Sequence, residues 1–129
     1  MSTLADLGAA KYVLLTTFRK DGRGVPTPIW AVPYDDGLAV WTPVDTGKLK
    51  RIRRDGRVTV APCTFGGETT GETVEAQARI GDRADTDRVR KALRRKYGLT
   101  GWVTVFGSKL RRGADGTVAV LITPAGEVA

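Results

Sequence analysis

No histidine occurs anywhere in the 129 residues, and Cys63 is the only cysteine. Without histidine there is no Ser-His-Asp triad, no imidazole proton relay and no histidine-ligated metal. A single thiol excludes an internal disulfide, a paired-cysteine zinc site and CxxC redox chemistry, and it fits a reducing compartment. Apolar stretches run only a few residues, far short of the roughly 20 a membrane-spanning helix needs. The start Met1-Ser2-Thr3-Leu4-Ala5-Asp6 has no basic segment followed by an apolar run, so no secretory signal is expected. The cytoplasm is therefore the expected location. An enzyme built from this alphabet takes its hard chemistry from a bound coenzyme, or from a few hydroxyls and carboxylates. Neither a metal site nor a dedicated catalytic side chain is expected.

Positive charge, by contrast, is plentiful. Lysine and arginine number 21 against 14 acids, a net charge of +7. Lys48, Lys50, Arg51, Arg53, Arg54 and Arg57 crowd one segment, opposed only by Asp55. A second cluster, Arg88, Arg90, Lys91, Arg94, Arg95 and Lys96, contains no acid. Such focusing predicts an anionic partner, whether nucleic acid, acidic lipid or a phosphate-bearing small molecule. The plainer alternative is a pair of solvated helix faces.

The length fits one domain over 1–129. Thr3-Leu4-Ala5-Asp6 resembles a capping box that opens a short helix to about Ala10. Tyr12 to Phe18 is rich in β-formers, Asp21-Gly22 marks a hairpin, and a long strand follows from Val25 to Tyr34. Asp35-Asp36-Gly37 reverses the chain into Leu38 to Thr42. A basic helix comes next, with Thr46 as N-cap, Leu49 and Ile52 on its apolar face and Gly56 near its C-cap. Arg57 to Cys63 reads as a strand and Phe65 to Gly71 as a mobile glycine-rich loop. Thr73 to Ile80 alternates Val74, Ala76, Ala78 and Ile80 with polar residues, as a half-buried strand does. A helix from about Thr86 to Tyr97, ended by Gly98, turns Val89, Ala92 and Leu93 inward. Trp102 to Arg112 is ambiguous and partly helical in character, and Thr117 to Thr123 is the last strand. Strands joined mainly by hairpins, with short helices between, predict a mainly β fold: a six-stranded antiparallel barrel.

Two segments carry chemical information. Pro26 and Pro28 remove backbone donors from one side of their strand, so that side is an edge, a bulge or a groove. In Trp41-Thr42-Pro43-Val44-Asp45-Thr46-Gly47-Lys48 a strand ends, the chain turns, and a helix begins on a glycine and a lysine. Free N–H groups at a helix start, its dipole and that lysine make a phosphate site; the alternative is a capped helix with a surface lysine. It is not a Walker A loop, since no glycine stands five residues before Gly47 and Leu49 replaces the magnesium-binding hydroxyl. Gly22-Arg23-Gly24 likewise lacks the third glycine of a dinucleotide fingerprint.

The Val-Pro-Thr-Pro-Ile-Trp strand, the Trp-Thr-Pro-Val-Asp-Thr-Gly-Lys turn and the Lys-Arg-Ile-Arg-Arg-Asp-Gly-Arg-Val junction resemble the pyridoxamine-phosphate-oxidase-like split β-barrel superfamily. Within it they are most similar to the actinobacterial branch that uses the deazaflavin coenzyme F420. The Val74 to Arg79 strand and the Leu93 to Gly98 helix end resemble that branch too, so the likeness spans nearly the whole chain. It implies an oxidoreductase that transfers hydride from reduced F420 to an unsaturated organic substrate, as a homodimer with the coenzyme between protomers. By the same resemblance Thr27, Pro28, Ile29 and Trp30 line the ring, and Trp41 and Thr42 lie beside the ring and its side chain. Thr46, Gly47 and Lys48 match the phosphate turn, with Arg51 and Arg54 as further sources of charge. Flavin-binding relatives often carry an arginine where this chain has Gly47, which makes FMN the alternative rather than the first expectation. Tyr97, Trp102 and Thr59 are candidate substrate neighbours, each also explained by packing. Nucleic acid ranks lower as a partner, because the aromatics are isolated along their strands instead of forming a stacking row. A membrane is not expected as a partner.

Overall fold

The computed structural model describes residue 7 and residues 10–35, 37–43, 47–112 and 117–124, with side chains of 99–112 outside the description. Among the described residues there are seven strands: β1 (Tyr12–Phe18), β2 (Gly24–Ile29), β3 (Ala31–Tyr34), β4 (Gly37–Pro43), β5 (Arg57–Cys63), β6 (Val74–Ile80) and β7 (Thr117–Pro124). Two whole helices accompany them among the described residues, α1 (Gly47–Arg54) and α2 (Arg83–Arg112). All strands join one antiparallel sheet in the order β2-β1-β5-β6-β7-β4-β3.

That order contains the decisive feature of the fold. Strands β2 and β3 follow one another with only Trp30 between them, yet they occupy opposite edges of the sheet. One residue cannot make a hairpin, so the sheet curls until its two edges meet at Trp30. The register shows where closure stops. Ala31 pairs with Val40, but one step further Trp30 and Trp41 make no bridge, and β2 turns to β1 instead. The barrel is split there. Pro28 lies opposite Leu14 and Pro26 opposite Thr16. A residue without an N–H can sit only in a non-hydrogen-bonded pair, so both prolines turn their carbonyls to the open edge of β2 and offer it no donor. The same break raises the strand count from the expected six to seven: the stretch from Val25 to Tyr34 belongs to two ladders, not one.

The helices differ from expectation at their ends. Helix α2 starts at Arg83 because Asp82 and Asp85 cap each other: the Asp85 amide donates to Asp82 Oδ1 at 2.8 Å and the Asp82 amide to Asp85 Oδ2 at 3.0 Å. It does not end at Gly98 but breaks there (φ 60°, ψ −137°) and resumes to Arg112, so the segment from Trp102 is helical. Gly56 is no left-handed cap. Its amide segment lies against β6, where a Cβ would stand 2.7 Å from the Ala78 carbonyl oxygen. The expected helix from Thr3 lies largely outside the described residues.

Alternation in the strands builds two cores. Inside the curl, Val13, Leu15, Leu38, Val40, Val58, Val60, Ala76, Val120 and Ile122 pack with Leu49 and Ile52 of α1. On the outer side, α2 lays Val89 and Leu93 against Val32, Ala39, Ala119 and Leu121 of β3, β4 and β7. The outer side of β2, β1 and β5 receives no helix among the described residues. No described helix is long and apolar enough to cross a membrane.

Candidate phosphate and ring site

Helix α1 is held across the inside of the curl by two kinds of contact. Leu49 and Ile52 are buried there, and two arginines reach to the end of β1. Arg51 Nε donates to the buried Thr17 hydroxyl at 2.7 Å, and Arg54 Nη2 donates to the Phe18 carbonyl at 2.6 Å. The first of these keeps the Arg51 guanidinium beside the helix start: a Cβ on Gly47 would meet Arg51 Nη1 at 2.9 Å. Gly47 thus leaves room for a cation at the helix N-terminus that any larger residue would displace. Lys48, half-buried, stands in the same turn with no acid paired to it among the described residues, and burial followed by repulsion from Arg51 pulls its pKa below the usual lysine value. Two cations, a positive helix end and no described carboxylate partner are the makings of an anion site.

Strand β4, which precedes α1 in the chain, carries two unsatisfied groups on opposite faces of the sheet. The Trp41 Nε1 donor and the Thr42 Oγ1 hydroxyl are buried without a hydrogen-bond partner among the described residues. Buried polar atoms are normally paired; Thr42 faces the same inner side as α1, whereas Trp41 faces α2. These residues fit an anionic group: among the described residues no carboxylate neutralises Lys48 and Arg51, the Thr42 hydroxyl on their side of the sheet lacks a partner, and Gly47 leaves room for the Arg51 guanidinium.

The structure does not gather the whole expected set on one surface. Thr27, Ile29 and Thr42 share the inner side with α1, Ile29 packing on the inner core. Trp30 and Trp41 point to the α2 side and pack in the outer core. Pro28 is exposed on the bare outer side, where Gly67 closes on it. Arg54 sits at the far end of α1 from Gly47, bound to Phe18. Thr46 lies outside the described residues, as do the side chain of Trp102 and the turn that precedes Gly47.

One group beside Trp30 is missed by sequence reasoning. Lys96, counted above with the basic cluster, turns inward and donates to the carbonyls of Ala10 (2.6 Å) and Ala31. Its neighbour Tyr97 stacks its ring on Trp30 with centroids 4.3 Å apart and planes 8° from parallel. The Tyr97 hydroxyl donates toward the carbonyls of Lys11 (2.7 Å) and Ala31 (3.1 Å), and the Ala31 amide donates to it (3.3 Å). Arg90 also turns inward, onto Thr117 and Asp87. What remains on the outer face of α2 is the exposed set Arg88, Lys91, Arg94 and Arg95. The signal was present, since Lys96 and Tyr97 immediately precede a helix-breaking glycine, but the charge run concealed it.

The loop after β5 is tied rather than open. The Thr64 amide donates to the Glu68 carbonyl (2.9 Å) and Gly67 to Thr64 (3.0 Å), setting Phe65, 79% exposed, edge-on to Tyr12. Burial pushes the Cys63 thiol up, away from thiolate reactivity.

A curled antiparallel sheet whose consecutive second and third strands lie at opposite edges, with one helix inside the opening and one outside, is a split barrel. The chain shares this fold with pyridoxamine 5'-phosphate oxidase-family proteins and related split-barrel proteins. No protein-family model and no curated protein matches it. Among solved structures it is similar to the conserved hypothetical protein Rv2991 from Mycobacterium tuberculosis, at 22% identity and TM-score 0.71, covering 98% of this chain and 82% of the other. A Clostridium acetobutylicum protein related to general stress protein 26, of the pyridoxinephosphate oxidase family, matches at 15% identity and TM-score 0.58, covering 90% and 76%. HutZ, the heme storage protein from Vibrio cholerae, matches at 14% identity and TM-score 0.59, covering 91% and 83%. At these identities the shared property is the fold.

Proposed function

We propose that this chain binds a phosphate-bearing redox coenzyme, F420 first and FMN as the alternative, and works as an oxidoreductase. One observation carries the reading: Lys48 and Arg51 stand without a described acid at the start of α1, whose core face lies on the same inner side of the sheet as the orphaned Thr42 hydroxyl. Lys48 and the Gly47 amide would hold the phosphate, Arg51 would add charge from its Thr17 tether, and Thr42 would meet the side chain between phosphate and ring. Thr27, Ile29 and the Trp30 backbone, on the strand that leaves the barrel open, would line the ring. When bound, the coenzyme supplies hydride to an unsaturated organic substrate. The chain's own work is to orient the ring and exclude water, which needs no catalytic base. A second copy closes the site from the bare outer side of β1, β2 and β5.

A titration of the purified protein with F420 and with FMN, side by side, tests this. F420 is expected to bind more tightly, and Lys48→Ala to weaken binding by about 1.5–3 kcal/mol, the worth of a charge-assisted hydrogen bond to phosphate. Unchanged affinity in that variant moves the phosphate elsewhere, and no binding of either coenzyme ends the redox reading. The fold of HutZ favours a second reading, carriage of a coenzyme or tetrapyrrole without turnover. Lacking histidine, this chain has no imidazole to ligate haem iron, so tight binding with no activity over a broad substrate panel would be its signature.

A further inference from the structure

Trp30 is the only residue between the two edge strands, and the covalent closure of the barrel passes through it. A single residue leaving one ladder and entering another has no neighbour strand to fix it. Here helix α2 takes that part. Tyr97 covers the Trp30 ring at 4.3 Å, its hydroxyl bonds both the amide and the carbonyl of Ala31, and Lys96 bonds the same carbonyl. The same two side chains also hold the carbonyls of Ala10 and Lys11, at the entry to β1. The backbone on both sides of the split is therefore set from one helical turn. Immediately after that turn the chain breaks at Gly98, in a conformation closed to residues with a Cβ, so the two anchors form the last turn before the break.

We propose that Tyr97, supported by Lys96, is a positioning residue: it holds Trp30 and Ala31 so that the end of β2 stays parted from β4 at the coenzyme-binding width. The inference rests on the functional reading above for its ligand, and on the contacts alone for its mechanics. Tyr97 acts through the Trp30–Ala31 backbone and touches neither the anion corner nor the reacting ring. Two consequences separate this from ordinary packing. Loss of the hydroxyl should loosen one short stretch instead of the whole fold, and it should change coenzyme affinity out of proportion to stability.

The test uses Tyr97→Phe, which keeps the stacked ring and removes the hydroxyl, beside Val89→Ala, which thins the outer core on the same helix without touching the seam. Hydrogen–deuterium exchange on the coenzyme-free protein is read first. Tyr97→Phe is expected to speed exchange at least tenfold in residues 27–32 and leave β5, β6 and β7 unchanged; uniform acceleration, or none, overturns the clamp. Coenzyme titration is read second, with whichever of F420 or FMN the wild type binds. An affinity loss of about fivefold or more in Tyr97→Phe, with Val89→Ala unchanged, supports positioning; equal losses in both variants, or none, overturn it. A wild type that binds neither coenzyme ends the functional reading and with it the positioning role, while the exchange result still decides whether the seam is clamped from α2.

Discussion

At the scale of single residues, the molecule buries basic and phenolic groups together and leaves their ionisation to report on the seam. Burial brings the Lys96 ammonium down to about 8 from its usual 10.5, against the pull of the two carbonyls that favour its charged form. Burial holds the Tyr97 phenol up at about 12. The two act on stability in opposite senses. Below pH 8 the folded and unfolded chains both carry the Lys96 proton, and the folded chain bears the whole penalty of burying it. Between pH 8 and 10.5 only the unfolded chain keeps that proton, so stability rises with pH. From pH 10 to 12 the unfolded phenol ionises while the folded one does not, and stability falls again. The wild type should therefore gain stability relative to Lys96→Met between pH 8 and 10, read from urea midpoints across that range. Water screens the half-exposed ammonium, so the gain falls well short of the full shift. A wild-type-minus-variant difference that is flat from pH 8 to 10 refutes the assignment.

At the scale of elements, local pattern and sheet order contributed differently to what could be read from the sequence. The alternation of Val74, Ala76, Ala78 and Ile80 and the three-residue spacing of Leu49 and Ile52 are local, and the observed burial follows both. The donors missing from Pro26 and Pro28 are local as well, and they mark the open edge where it is found. The break at Trp30 is another matter. It exists because β2 pairs with β1 while β3 pairs with β4, and no short window of sequence contains that choice. The same holds for the candidate site. The start of a helix at Gly47 and Lys48, on which the proposed anion site rests, was legible from local pattern, whereas the assignment of Trp30 and Trp41 to the α2 side depends on a helix half a chain away. Gly98 shows the limit in miniature. A glycine after a helical run reads as a stop, yet the chain continues helically beyond it. A Cβ at Gly98 would meet nothing within 4 Å, so replacing it brings torsional strain without a clash. Gly98→Ala should destabilise the fold by about 1–3 kcal/mol, as expected for a backbone state reserved to glycine. Urea unfolding measures it, and an unchanged midpoint would mean that the helix runs through.

At the scale of the whole molecule, the barrel is covered unevenly. Helix α2 shields the outer side of β3, β4 and β7, while the outer side of β1 and β2 carries Tyr12, Leu14, Thr16, Phe18, Pro26 and Pro28 half-buried or exposed. No charged side chain stands among these six; at the margins Arg57 lies over the Phe18 ring at 4.3 Å and Lys11 over the Tyr12 ring at 6.0 Å. On a chain of net charge +7, a stretch without charge is where two copies can meet with least repulsion. Stable pairs bury about 800 Å² on each side, and the Phe65 turn adjoins the strands through its contact with Tyr12. The split between β2 and β4 borders this surface, so the same contact that joins two chains would also close the ring site. Phe65→Glu places a charge on an aromatic that is 79% exposed and lies outside both cores, and Leu14→Asp places one at the middle of the face. Both are expected to shift the mass in sedimentation equilibrium from two chains to one, with the far-UV spectrum unchanged and coenzyme affinity reduced together with dimer content. A wild type that sediments as a single chain yet binds coenzyme would show that one barrel suffices for the site. Variants that remain dimeric would place the contact on another face.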